Sequence, residues 1–248
     1  MTQVDIAALS PQVVWQHFQT LCTIPRPSKH EQQLREFLQN WAESRNLETY
    51  VDEVGNLIIR KNATQGKEHV SGVILQGHLD MVTQANTGTV HDFFKDPIRP
   101  VLEDGWLIAK DTTLGADNGI GVALALAVLD SNDIAHGPIE VLLTVDEEAG
   151  MSGARLLETG VLKGKWLFNI DTEEWGELYL GCAGSIDVEV EQPLNYEPIP
   201  ENLNIVNIQV AGLKGGHSGV DIHLGRGNAN VILARFLNQH LASLGGHL

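Results

Sequence analysis

Val73-Ile74-Leu75-Gln76-Gly77-His78-Leu79-Asp80-Met81-Val82 is the stretch on which the reading of this chain turns. An apolar, β-branched run ends at a glycine, and a histidine and an aspartate follow two positions apart. In extended chain, residues i and i+2 lie on the same side. His78 can then offer one ring nitrogen to a metal while Asp80 accepts the proton of the other. Such a pairing fixes the tautomer and raises the basicity of the ligand. Taken alone it reads more readily as an ordinary strand end, because histidine fills many loop roles.

The same arrangement recurs twice. Ile139-Glu140-Val141-Leu142-Leu143-Thr144-Val145 empties into Asp146-Glu147-Glu148-Ala149-Gly150, and Trp166-Leu167-Phe168-Asn169-Ile170 empties into Asp171-Thr172-Glu173-Glu174. Three buried-looking strands thus release carboxylates or a histidine at their carboxyl ends, where open α/β sheets bind ligands. Segments far apart in sequence are expected to converge there.

Composition narrows the classes. With 32 acidic against 16 basic residues in 248, the net charge is −16, which argues against nucleic acid or an anionic membrane surface as partner. Cys22 and Cys182 are the two cysteines and lack CxxC spacing, so neither a disulfide framework nor a cysteine zinc site is indicated. Met1-Thr2-Gln3-Val4-Asp5 lacks signal-peptide character, and no apolar run approaches the roughly 20 residues of a membrane span. A cytoplasmic protein is the expectation.

Along the chain, Ser10-Pro11 opens a helix with Val14, Phe18 and Leu21 as its stripe. Ser28 and Glu31 read as a capping box for a second helix carrying Leu34, Phe37, Leu38 and Trp41. His17 and His30 on these helices read as surface or cap residues. Val51 to Arg60 reads as a hairpin turning at Gly55-Asn56, and residues 83–110 as an irregular loop. Gly115-Ala116-Asp117-Asn118-Gly119-Ile120-Gly121 opens an apolar helix. Its G-x-x-x-G-x-G spacing is neither a dinucleotide fingerprint nor a P-loop. What remains is an aspartate near a helix start, beside glycines that let the backbone approach something closely.

Glu177 to Cys182 and Ile205 to Leu213 read as strands, and Asn228 to Leu244 as an amphipathic helix. Gly216-His217-Ser218-Gly219 is not a nucleophile elbow, because its second glycine comes one position early. The character of the chain changes near 184–187, which sets domains of 1–185 and 186–248. The second holds too few elements to be stable alone, so the chain reads as part of something longer. The fold class expected is α/β: a mixed sheet flanked by helices, then the start of a smaller α+β lid or dimerisation domain.

Gly77-His78-Leu79-Asp80-Met81-Val82, Gly115-Ala116-Asp117-Asn118-Gly119, Glu147-Glu148-Ala149-Gly150 and Gly215-Gly216-His217-Ser218 resemble, in order and spacing, the M20-type di-zinc peptidases. Thr89 to Phe93, Thr112 to Gly121 and Gly225 to Asn230 resemble their aminoacyl-histidine dipeptidase (Xaa-His, carnosine-splitting) branch. The resemblance covers essentially the whole chain. It implies hydrolysis of a small peptide such as β-alanyl-histidine by a metal-activated water. Two Zn2+ ions would be held, with Co2+ or Mn2+ as substitutes: His78 and Asp171 on one, Glu148 on the other, and Asp117 bridging through a cis bond to Asn118. Asp80 would orient His78, and Glu147 would be the general base. Asp146, a third adjacent acid, is expected to raise the pKa of Glu147. His217 would reach the substrate carbonyl of a partner subunit in a homodimer formed through the lid. The family's further histidine ligand belongs to a C-terminal half, and His240 and His247 stand in the wrong context to replace it. The alternatives are a tripeptidase or aminoacylase on the same fold, or a catalytically inert metal-binding fragment.

Overall fold

The computed structural model describes residues 5–182, 184, 186, 188–196, 198–199, 201–203, 205–217 and 219–245. Ser218 and His247 lie outside them. The chain divides into two compact units, Met1–Tyr179 and Leu180–Leu248, so the division falls several residues ahead of the compositional change.

The first unit is built on five strands: β1 (Glu48–Val51), β2 (Leu57–Lys61), β3 (Val73–His78), β6 (Ile139–Thr144) and β7 (Trp166–Asn169), in the order β1-β2-β6-β3-β7. β1, β2 and β6 pair antiparallel, whereas β3 runs parallel to both β6 and β7. His78 stands opposite Thr144, and Gln76 opposite Asn169. That register settles the convergence: the three strands that release chemistry are immediate neighbours and end at one edge of the sheet.

Residues 83–110 are not wholly irregular. β4 (Pro100–Glu103) and β5 (Trp106–Ala109) form a separate hairpin whose Asp104-Gly105 turn has φ of 51° and 83°. An Asp-Gly pair with both residues left-handed matches the twist of a two-residue hairpin.

Alternation along the strands divides the core in two. Leu57, Ile59, Val141 and Leu143 face α1 (Gln12–Thr23), α2 (Gln32–Glu43) and α3 (Ala116–Asp130), packing with Phe18, Leu21, Leu34, Leu38, Val122 and Leu126. On the other face Ile58, Ile74 and Leu142 pack against Tyr50 of β1 and against Leu157, Val161 and Leu162, the last three following the short α4 (Ser152–Arg155). β6 is buried along its full length, and its one acid, Glu140, is matched by Arg60 directly across in β2 at 3.1 Å. Asn56 at the hairpin turn donates to Asp52 and the Gly153 carbonyl and accepts the Val145 amide. The turn is thereby tied to the end of β6.

Two helix starts differ from expectation. α1 has Pro11, not Ser10, at its N-cap. α2 begins after Glu31, and Ser28 makes no cap bond to it, because both of its supposed capping residues are engaged at the site described below. β7 is an outer strand, with Trp166, Leu167 and Phe168 about half exposed.

In the second unit, α5 (Ala229–His240) is capped by Asn228, which accepts the Val231 amide at 3.1 Å, and buries no residue. Neither Glu177–Cys182 nor Ile205–Leu213 forms a strand among the described residues. A strand exists by pairing, and the alternation of Val206, Ile208 and Val210 finds no neighbour there to supply it.

Candidate metal centre

β3 delivers His78 and then Asp80 into the sheet edge, both fully buried. His78 Nδ1 lies 3.3 Å from Asp80 Oδ1, and its Nε2 faces outward, 2.9 Å from Asp117 Oδ1, 3.6 Å from Asp171 Oδ2 and 3.9 Å from Glu147 Oε2. One ligand atom each from His78, Asp117 and Glu148 lie mutually within 4.8 Å. Six residues expected at the site, His78, Asp80, Asp117, Glu147, Glu148 and Asp171, are therefore brought together from four segments. His217 belongs to the second unit. There its Nδ1 accepts the amides of Gly219 and Val220, both at 3.0 Å, while its own amide donates to Asp221.

Asp80 does more than face His78. Its Oδ1 accepts the Glu147 amide and its Oδ2 the Glu148 amide, each at 3.0 Å, and the Ser28 hydroxyl donates to Oδ2 at 2.7 Å. The amide before these, Asp146 N–H, donates to Glu31 Oε1 at 2.8 Å. Three consecutive amides of the loop after β6 are thus held by two carboxylates from other segments. Asp146 itself adopts φ 56° and its carboxylate accepts the Ser152 hydroxyl at 2.6 Å, an engagement its sequence neighbours did not suggest.

The glycines around Asp117 also find their reason. A side chain at Gly121 would place Cβ 2.6 Å from Asn118 Nδ2 and 2.7 Å from the Ile170 carbonyl, and one at Gly119 would lie 2.7 Å from Arg26 Nη2. The partners approached so closely are Asn118, which donates to the Ile170 carbonyl (3.1 Å) and to Asp171 Oδ1 (3.0 Å), and the Arg26 guanidinium. The Asp117–Asn118 bond is cis. Asn118 therefore links the start of α3 to the end of β7. Sequence reasoning passed over Arg26, Ser28, Glu31 and Asn118 as contributors to this site. The one local hint was Pro25-Arg26-Pro27-Ser28, a stiff segment too short for a helix.

Electrostatics mark the cluster as short of positive charge. Burial pushes the Glu148 carboxyl up, and Asp117 adds to it, to about 7. Burial likewise raises Asp171, to about 6, against the opposing attraction of His78. Burial alone would lower His78, but the carboxylates of Asp117, Asp80 and Asp171 prevail and carry it to about 10. For Asp80 burial works upward, yet His78, the Ser28 hydroxyl and the two loop amides hold it at about 2. A divalent cation relieves such crowding of carboxylates. One imidazole with several carboxylate oxygens is a donor set suited to zinc, and to manganese or cobalt in its place. On donor chemistry and spacing, the residues fit a metal.

The chain is similar to known proteins in sequence and fold. Residues 74–226 match peptidase family M20/M25/M40. The chain is 51% identical over 240 residues to the cytosol non-specific dipeptidase of Escherichia coli K12, an alignment covering 97% of this chain and 50% of that protein. Its fold matches the crystal structure of aminoacylhistidine dipeptidase from Vibrio alginolyticus with a TM-score of 0.72 and 48% identity, over 98% of this chain and 49% of the other. A tripeptidase from Staphylococcus aureus is more distant, with a TM-score of 0.57 and 26% identity over 67% of this chain and 44% of the other. The chain spans about half the length of the first two. With a mixed sheet, a carboxylate-rich edge and a match running through both, the chain belongs to the M20/M25/M40 peptidase family.

Proposed function

We propose that the full-length protein is a metallo-dipeptidase that hydrolyses dipeptides, Xaa-His substrates such as β-alanyl-histidine among them. The observation that carries this reading is the meeting of His78, Asp117, Glu147, Glu148 and Asp171 around one ring nitrogen. The names of the E. coli and V. alginolyticus relatives support the substrate class.

In this reading His78 and Asp171 would hold one metal and Glu148 the other, with Asp117 available to both. Zinc bound there would polarise the scissile carbonyl and bring the pKa of water down toward 7. The chain's own part is positional and protonic. Asp80 presents His78 with Nε2 outward and anchors the amides of Glu147 and Glu148, so that two adjacent acids divide the labour. Glu148 serves the metal, and Glu147 takes the proton of the attacking water and passes it to the leaving amine. His217 accepts two amides at Nδ1, so its neutral ring carries the proton on Nε2. That suits it to donate to a substrate carbonyl.

No helix among the described residues is long and apolar enough to cross a membrane. A cytoplasmic location is proposed on the name of the E. coli relative, and a homodimer through the lid on the resemblance alone. The full-length protein should cleave β-alanyl-histidine and lose that activity to a chelator. Faster turnover of tripeptides or N-acyl amino acids would replace this reading with the tripeptidase or aminoacylase one. Chelator-insensitive activity would overturn it.

A further inference from the structure

Arg26 is 3% exposed. Its guanidinium donates to main-chain carbonyls: Nη1 to Leu79 (2.9 Å) and Asp80 (2.8 Å), and Nη2 to Gly115. The Arg26 carbonyl accepts the Met81 amide at 3.2 Å, and two residues on, the Ser28 hydroxyl holds the Asp80 carboxylate. The segment Arg26-Pro27-Ser28 thus grips residues 79–81 through both backbone and side chain. The far side of the fork reaches the turn that opens α3, where Gly115 has φ 72°.

Leu79 follows the ligand candidate His78 directly, and Gly115 precedes Asp117 by two residues. We propose that Arg26 is a positioning residue for the metal centre, a fork that ties the end of β3 to the Gly115 turn and so sets the spacing between His78 and Asp117. The inference rests on reading that cluster as a metal centre. A guanidinium suits the task because its rigid planar fork aims donors in two directions at once, whereas an ammonium is a point charge on a flexible stem. Two glycines keep room for it. A Cβ at Gly115 would come 2.6 Å from Arg26 Nη2 and one at Gly119 2.7 Å from the same nitrogen. Gly119 lies inside α3, where alanine would otherwise favour the helix.

The competing view is that Arg26 merely fills the core and lends stability throughout. Arg26→Met, Arg26→Lys and Gly119→Ala in this chain separate the two views, each read in two ways. In metal-free protein, hydrogen exchange at the Glu147 and Glu148 amides, which rest on Asp80, should accelerate by about tenfold or more in Arg26→Met. The Val141 and Leu143 amides in the sheet interior should keep their wild-type rates. Uniform acceleration across both sets would mean a general loss of stability and would overturn the proposal.

Titration with Co2+, followed by its visible absorption, should show affinity reduced roughly 10–100-fold in both Arg26 variants, with altered band positions. Gly119→Ala should do likewise alone and add little in the Arg26→Met background. Full rescue by Arg26→Lys would show that charge alone matters and would overturn the fork. Should Arg26→Met fail to fold, Arg26→Lys and Gly119→Ala still decide. If the wild-type chain takes up no Co2+, the metal reading fails, and the exchange pattern alone judges the clamp.

Discussion

Asp80 Oδ1 accepts the backbone amide of Glu147 at 3.0 Å. The residue that faces His78 at the end of β3 therefore also determines where the loop after β6 begins to present its acids. Orientation of the histidine and placement of the adjacent Glu147–Glu148 pair are one structural problem with one solution.

Asp80→Ala should for that reason lower stability by about 3 kcal/mol, since it strands two amides, a hydroxyl and a buried imidazole. Denaturant melts in a chelator check this. The wild-type carboxyl is held at about 2 against an ordinary 3.8. Its stabilisation is present above the unfolded value and is lost as pH falls toward 2. Asp80→Ala should flatten the acid limb of the stability curve, and an unchanged limb would refute the role.

Glu147 and Glu148 should separate cleanly in the full-length protein. Glu147→Gln should slow dipeptide turnover by about 10²–10⁴-fold and leave the metal content near that of the wild type. Glu148→Ala should come off the column depleted of metal. The reverse pattern would show the two roles exchanged.

Metal uptake should displace protons. Glu148 at about 7 and Asp171 at about 6 hold their protons more tightly than ordinary carboxyls, and His78 at about 10 is protonated in the metal-free chain. Ligands must give up these protons, so affinity should rise as pH rises through 6 to 7 and fall below it. At pH 8, where the acids are already ionised, about one proton should leave per metal bound, from His78. Calorimetry in buffers of different ionisation enthalpy measures this. Affinity that is flat from pH 5.5 to 8 would contradict it.

Gly121→Ala should cost about 1–3 kcal/mol by overpacking, because its Cβ would press on Asn118 and the Ile170 carbonyl. Gly181→Ala, with nothing within 4 Å among the described residues, should stay within about 0.5 kcal/mol. Comparable losses at both positions would remove the packing explanation.

In the proposed assignment His78, Asp117 and Asp171 would hold one zinc, with water completing the site. The other ion would draw on Glu148 and the shared Asp117 among the described residues. Metal analysis after gel filtration should find close to one zinc per chain, with little dipeptidase activity. The half-exposed Trp166, Leu167 and Phe168 on an outer strand should also drive concentration-dependent association, which Phe168→Lys relieves. Two tightly held zincs with full activity would show the rest of the protein to be dispensable.

Local pattern alone was enough for β3, β6 and β7, because each is a short apolar run that ends in charge. The same pattern marked His78, Asp117, Glu147, Glu148 and Asp171 as chemistry at strand and helix ends. Order and spacing of those motifs were enough for the family. The tertiary structure decided what depends on contacts between distant segments. Ser28 and Glu31 carry the local signature of a helix cap, yet one serves Asp80 and the other the Asp146 amide, 52 and 115 residues away. Arg26 lies in a short run between prolines, and only packing shows that its charge ends on three carbonyls. Val206, Ile208 and Val210 alternate as a strand should but form none among the described residues, because pairing needs a neighbour that alternation cannot supply. Periodicity reports which side of a segment is apolar. Which partner satisfies a buried donor or charge is settled only when the chain has closed around it.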